Sequence, residues 1–324
     1  MPDVTQLLDP ALLDRITGLS ITARRVVEGA LHGLHRSPQH GLSVEFAQHR
    51  QYAPGDELKH IDWKVLAKSD RYVVKQYEQE TNLRALLVLD TSASMGYGTL
   101  ANSSANTRTT DAASPATESK IHHARVLSAA LAYLLLHQGD SVGLVLAGEN
   151  NSHRLEPSGN PNHLMALAHA LLQHEPAGRV NLPDTLRQLA SGLRRRSLIV
   201  VLSDLFDDPH ATLAALGQAH HAGHEILVLH VLHPTEMHFD LGAAAQGVTV
   251  IRDMESGREF ESEPALIRAL VQDEVRKFLD DIDTAARRHG LHVLRCRTDE
   301  PAQDTLTRYL HNRAASGGAG RQAR

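Results

Sequence analysis

The sequence predicts an α/β fold: a doubly wound, mostly parallel sheet with helices on both faces, preceded by an N-terminal helical and β-rich elaboration. Three observations carry this. From residue 84 onward, short and wholly apolar runs alternate with longer segments of helical periodicity. Strands that are apolar on both faces belong to parallel sheets covered on both sides. Two of the runs end on aspartate, Asp90 and Asp204, at the carboxyl ends of strands where such folds hold ligands.

The elements follow in order. Residues 3–36 repeat Leu7, Leu8, Leu12, Leu13 and Ile16, then Val26, Val27, Leu31 and Leu34, at helical spacing, with Gly18 and Ser20 as punctuation. Residues 37–82 change character: β-prone runs at 42–46 and 71–77 surround a polar turn at 53–56. Strands are expected at 84–90, 141–146, 197–203, 224–232 and 291–296. Helices are expected at 119–137, 161–173, 183–194, about 208–221, 264–289 and 301–313. Residues 235–263 break the alternation and read as a hairpin-like excursion turning at 255–257. Segments 97–118 and 314–324 consist of small and polar residues and read as a disordered insertion and a disordered tail. The expected division is a bracing segment at 1–83 and an α/β domain at 84–313.

Composition excludes some classes. The formal charge of −5 is not that of a protein built around a nucleic-acid backbone. With Cys296 as the single cysteine, no internal disulfide can form. No apolar run approaches the length of a membrane span, and the first twenty residues carry acids without a long apolar stretch. A cytoplasmic location is expected. The 22 histidines add surface charge as pH falls toward 6.

The chemistry concentrates in the loop after the first core strand. Asp90, Ser92 and Ser94 form an Asp-x-Ser-x-Ser pattern directly after 84–90. A carboxylate and two hydroxyls suit Mg²⁺ or Mn²⁺, hard ions that take oxygen ligands. Such a set neutralises only part of the ion's charge, so the ion stays able to accept a carboxylate from a partner. Asp204 offers a second acid, directly or through water. His220, His221 and His224 invite a zinc reading, but Gly223 ends the helix between them, and zinc is not expected. Arg194 to Arg196 read as a helix-end run and Asp208 as a helix cap.

The strand, the Asp-x-Ser-x-Ser loop and Ser203-Asp204 resemble the metal-ion-dependent adhesion site of von Willebrand factor A (vWA) domains. The preceding segment is more specific. Gly41-Leu-Ser-Val-Glu-Phe46, Arg50-Gln-Tyr52, Pro54-Gly-Asp56 and Ile61-Asp-Trp63 resemble a bacterial family of unknown function that joins this segment to a vWA-like domain and is typically encoded beside MoxR-type AAA+ ATPases. Gly139-Asp140 and Thr298-Asp-Glu-Pro301 fit the same family, and the resemblance runs from about 20 to 313. It implies a metal site of Asp90, Ser92, Ser94 and Asp204, a MoxR-type AAA+ ATPase as partner, and a role in assembling or maturing a client complex.

Two positions depart from the pattern. Val180 stands where such sites present a coordinating Thr, leaving neighbouring Asn181 or a water as substitutes, and His233 stands where an Asp precedes a Pro. In the bracing segment, Arg50, Asp56, Asp62 and Trp63 are read as a structural turn and core anchor, or else as a docking surface. Three functions stay open on the sequence: a non-enzymatic, cation-dependent interaction adaptor, a Mg²⁺-dependent hydrolase using Asp90 and Asp204, and a metal-free scaffold.

Overall fold

The computed structural model describes residues 46–51, 65, 72–77, 83–98, 119–149, 152–239 and 247–319. Two compact units divide the chain, with His35–Leu83 forming the smaller. Its described part is an antiparallel pair, β1 (Phe46–Gln51) and β2 (Val73–Tyr77), running in register from Gln51↔Val73 to Gln48↔Gln76. The expected helices at 3–36, the run at 42–45 and the turn at 53–56 lie outside the described residues.

The larger unit is built on a six-stranded sheet. Its strands are β3 (Arg84–Asp90), β4 (Ser141–Ala147), β5 (His153–Ser158), β6 (Leu198–Ser203), β7 (Glu225–Leu232) and β10 (His292–Arg297), in the order β10-β7-β6-β3-β4-β5. All neighbours pair in parallel except β5, which runs antiparallel to β4 at the edge. Chain order reverses between β3 and β6, so the carboxyl ends of these two strands frame the crevice where doubly wound sheets bind ligands. The predicted α/β class is the observed one.

Burial explains the central strands. From Ala85 to Asp90 and from Leu198 to Ser203 every residue is buried on both faces. The antiparallel β5, HRLEPS, was not expected. It is polar and largely exposed, and it carries Pro157, which an edge strand tolerates because an outward N–H is not needed. Gly143 in β4 lets this edge approach: a Cβ there would lie 2.8 Å from the Leu155 carbonyl oxygen and 2.8 Å from Pro157. Gly143→Ala is expected to cost about 1–3 kcal/mol through overpacking, measured as a lower urea midpoint with unchanged slope.

Helices α1 (Lys120–His137), α2 (His163–Gln173), α3 (Leu182–Gly192), α4 (Pro209–His221), α6 (Pro264–Arg288) and α7 (Ala302–Ala319) accompany the sheet. Helix α1 is buried nearly all round, so its pattern is apolar without a distinct polar stripe. The excursion at 235–263 comprises a short helix, α5 (Pro234–His238), and a hairpin of β8 (Thr249–Arg252) with β9 (Glu259–Ser262). Helix α7 runs to Ala319, through part of the segment expected to be a disordered tail; Ala314 and Ala315, strong helix formers, extend it. Residues 320–324 lie outside the described residues. Tyr97 and Gly98, expected at the start of the insertion, belong to the folded turn after β3, and residues 99–118 lie outside the described set. Among the described residues no helix is long and apolar enough to cross a membrane.

Candidate functional site

Asp90 is the last residue of β3 and is 5% exposed. One carboxylate oxygen accepts the Ser92 backbone N–H at 2.9 Å, and the other accepts the Ser203 hydroxyl at 2.6 Å. The loop then makes a single 3-10 turn at Ala93–Gly96, and the Ser92 and Ser94 hydroxyls lie 3.1 Å apart. Three of the four predicted oxygen donors are thus gathered on one short loop.

That loop is tied to the segment bearing Val180. The Ala93 N–H reaches the Gly178 carbonyl at 2.9 Å, and the Ala177 N–H reaches that of Thr91 at 3.0 Å. Gly178 is required there: its φ is +63°, and a Cβ would collide with the Glu149 carboxylate. Val180 is 3% exposed and presents an apolar wall. Asn181 does not replace the missing Thr. It caps α3, accepting the Asp184 N–H at 3.1 Å and donating to the Asp184 carboxylate at 2.9 Å, so its side chain is already used at a helix start.

Asp204 follows β6 and is 1% exposed. The Ser203 hydroxyl accepts the Leu205 N–H at 2.9 Å, and the next N–H, of Phe206, points to Asp204 Oδ1 at 3.3 Å. Leu205 holds a φ of 58°, a strained conformation for a branched apolar residue. The strain is accepted at the turn that fixes both Ser203 and Asp204.

The sequence reading missed the group that dominates the electrostatics. Lys120, the first residue of α1, is fully buried, and its Nζ donates to Asp204 Oδ2 at 2.7 Å and to Glu236 Oε1 at 2.8 Å. The ammonium also lies 4.7 Å from the Phe206 ring centroid and 5.7 Å from that of Tyr97. Burial by itself lowers the Lys120 pKa, but the two carboxylates outweigh it and hold the lysine above its ordinary value. Burial raises Glu236, with Lys120 pulling the other way. One sequence signal was available. A lysine at the first position of a helix opposes the helix dipole, so it calls for acids from elsewhere.

His233, in place of the expected Asp, caps α5. Its Nδ1 accepts the Thr235 N–H at 3.2 Å, while Glu236 accepts the His233 N–H at 3.4 Å. This reciprocal box aims Glu236 at Lys120. Tyr97 packs edge-on against His233 at 5.1 Å.

Asp90, Ser92, Val180, Ser203, Asp204 and Glu255 line a small cavity of about 10 Å³, roughly the room one water or one small ion requires. Asp90, Asp204 and Glu236 carry three carboxylates against the single ammonium of Lys120. Full ionisation leaves two negative charges uncompensated. Asp90 shows the consequence: burial and the charge of Asp204 push it up to about 6 despite its hydrogen bonds. Two carboxylates and the loop hydroxyls are the donor types that Mg²⁺ or Mn²⁺ would take, although the cavity is also lined by Val180, Leu182 and Leu205, and among the described residues no three His, Cys, Asp or Glu side chains are grouped to hold one metal ion. Asp90 and Ser92, which line the cavity, and Ser94 beside Ser92 would hold the ion, and Asp204 could add only the oxygen that also faces the Phe206 N–H. His230, beneath the site on β7, directs Nε2 at the Asp204 carbonyl at 3.0 Å, and burial lowers its pKa to about 4.

The remaining candidates lie elsewhere. Arg50 sits on β1 opposite Val74, and Asp56, Asp62 and Trp63 lie outside the described residues. His220 turns Nδ1 to the His224 carbonyl at 3.3 Å, and Asp208 caps α4 through the Ala211 N–H at 2.8 Å.

The chain is 30% identical over 319 residues to the uncharacterized protein Rv1480 of Mycobacterium tuberculosis, an alignment covering 97% of this chain and 93% of that protein. Among solved structures it is similar to the conserved hypothetical protein BatB from Bacteroides thetaiotaomicron, with a TM-score of 0.44 and 14% identity over 72% of this chain and 99% of that one. It is also similar to the SpRpn10 VWA domain, with a TM-score of 0.38 and 12% identity over 70% and 94% of the two chains. Residues 48–281 match the family described as "Protein of unknown function DUF58". The larger unit is a doubly wound α/β domain on a mostly parallel sheet, and the chain belongs to the DUF58 family.

Proposed function

We propose that the protein is a non-enzymatic interaction adaptor whose Asp90 loop holds Mg²⁺ or Mn²⁺ and, through that ion, an acidic side chain of a partner. The observation that supports this most is the gathering of Asp90, Ser92, Ser203 and Asp204 around an ion-sized cavity at the switch point of the sheet, where Asp90 is held well above its ordinary pKa by burial and by Asp204. A bound divalent ion with one carboxylate and two hydroxyl ligands keeps affinity for a further carboxylate. The hydrolase reading is weaker, because Asp204 has one oxygen on Lys120 and the other facing the Phe206 N–H, which leaves it poorly placed as a general base.

The sequence resemblance supports a MoxR-type AAA+ ATPase as the partner, with the pair acting on a client complex. The test is capture of such an ATPase from the same organism by the full chain, with Mg²⁺ and with chelator. Capture that chelator abolishes, and that Asp90→Ala lacks, supports the reading; capture indifferent to both contradicts it. Lys120 favours a second reading, a metal-free scaffold in which the buried lysine is the counter-charge of Asp204 and Glu236. Val180→Thr separates the two. If an ion binds, the added hydroxyl should tighten Mg²⁺ binding by about tenfold, read by calorimetry; on the scaffold reading no binding appears in either protein.

A further inference from the structure

We propose that the cavity at the amino ends of β6 and β7, bounded by Arg194, Arg195, Arg196, His220 and His224, binds a small, multiply charged phosphate anion. It lies one strand length, about 17–20 Å, from the carboxyl ends that carry the Asp90 site, and it does not depend on what that site does.

The topology makes the cavity. Strands β6 and β7 are parallel neighbours, so the loops that enter them open on the same edge of the sheet. One loop runs from the end of α3 to Leu198 and carries the three arginines. The other runs from the end of α4 to Glu225 and carries Gly223 and His224. The loops are tied together: the Glu225 N–H reaches the Ser197 carbonyl at 2.9 Å, and the Ser197 hydroxyl reaches the Arg195 carbonyl at 3.0 Å. Gly223, with φ of +96°, turns the second loop away from α4. The space between them is about 490 Å³, within the range of small-molecule sites.

Charge decides what it takes. No carboxylate lines the cavity, and among the described residues none of the three arginines makes an ion pair. Glu225 begins β7 beside His224 but does not line the cavity. Helices α3 and α4 both end here, and their negative poles offset about half a charge each. Three guanidinium groups against about one unit leave about two positive charges in excess. The whole chain carries −5, so this face runs against the balance of the molecule.

His224 is a second, independent sign. It lines the cavity and is 6% exposed, and its Nδ1 is buried without a hydrogen-bond partner among the described residues. Buried polar atoms are nearly always paired, so this one calls for a ligand. Burial also lowers the pKa of the ring, so at neutral pH it is an uncharged group able to donate one N–H to an anionic oxygen. Guanidinium forks match phosphate oxygens two at a time. No Phe, Tyr or Trp lines the cavity to stack a nucleobase, so the recognised part is the phosphate itself.

The test uses inorganic pyrophosphate with the metal-free full chain at neutral pH. Calorimetry gives the affinity of wild type, of Arg194→Gln with Arg196→Gln, and of Arg252→Gln with Arg258→Gln. The last pair removes the same charge from exposed positions on the β8–β9 hairpin. Hydrogen exchange read by mass spectrometry locates the protection. The expected result is one pyrophosphate bound by wild type, with affinity reduced about tenfold or more in the 194/196 variant and by less than about twofold in the hairpin variant. Pyrophosphate should slow exchange at 190–197 and 220–225. Absence of binding in wild type, equal weakening in both double variants, or protection confined to other segments overturns the site and leaves the arginines to neutralise the two helix ends.

Discussion

Lys120→Met is expected to destabilise the metal-free protein by about 3–5 kcal/mol, the range for breaking a buried ion pair by removing one partner. Methionine matches the volume, so the cost comes from charge rather than from a cavity. Asp204 and Glu236 would be left facing each other without the ammonium that both contact. Chemical unfolding at neutral pH measures this directly. Two further results should accompany it. Adding Glu236→Gln to Lys120→Met should recover part of the loss, giving a coupling above about 1 kcal/mol for groups in direct contact. Mg²⁺ should raise the melting temperature of Lys120→Met more than that of wild type, because the uncompensated charge at the site is larger. A loss below about 1 kcal/mol would mean the lysine is not the counter-charge of the cluster.

Asp90 and His230 are expected to oppose each other in the pH dependence of the metal-free protein. His230 is lowered to about 4 from an ordinary 6.5. Above pH 6.5 it is neutral in both folded and unfolded chains. As pH falls from 6.5 to 4 the unfolded chain takes up its proton first, and stability drops by about 3 kcal/mol in total. Asp90 is raised from 3.8 to about 6. Its folded form holds a proton that the unfolded form has released, so stability is present below pH 3.8 and is lost as pH rises through 6, again by a few kcal/mol. The windows overlap, so wild type in chelator should show a shallow profile between pH 4 and 6.5. Asp90→Asn should unmask a steep loss of stability toward acid. His230→Gln, which keeps a donor for the Asp204 carbonyl, should unmask a loss toward neutral pH. Parallel profiles for wild type and Asp90→Asn would contradict the assignment.

Much of this architecture is written locally in the chain. The runs Leu86-Leu-Val-Leu89 and Leu198-Ile-Val-Val-Leu202 are strands because apolar residues on both faces have to be covered on both faces, and helical periodicity between them supplies the cover. The same logic placed Asp90 and Asp204 at adjacent strand ends before any coordinates. It could not find β5, whose polar residues satisfy the sheet only because an edge has one partner and an outer side in water. It could not rule out Asn181 as a site residue either, since a cap and a ligand use the same side-chain oxygen and only the position of Asp184 decides. Lys120 and Glu236 escaped because their contacts join segments 84 and 116 residues apart. Nothing in a helical pattern tells which of its lysines is buried. Glu255 was legible only as part of a turn.

The adaptor reading stands or falls on whether the Asp90 loop holds a divalent cation beside a resident lysine. Calorimetric titration of the metal-free full chain with Mg²⁺, alongside Asp90→Ala, tests it most directly. The wild type is expected to bind one ion saturably, with a melting temperature that rises with ion concentration as linkage requires, and Asp90→Ala to show neither effect. No heat and no stabilisation at millimolar Mg²⁺ or Mn²⁺ would overturn it and leave Lys120 as the buried counter-charge of the site.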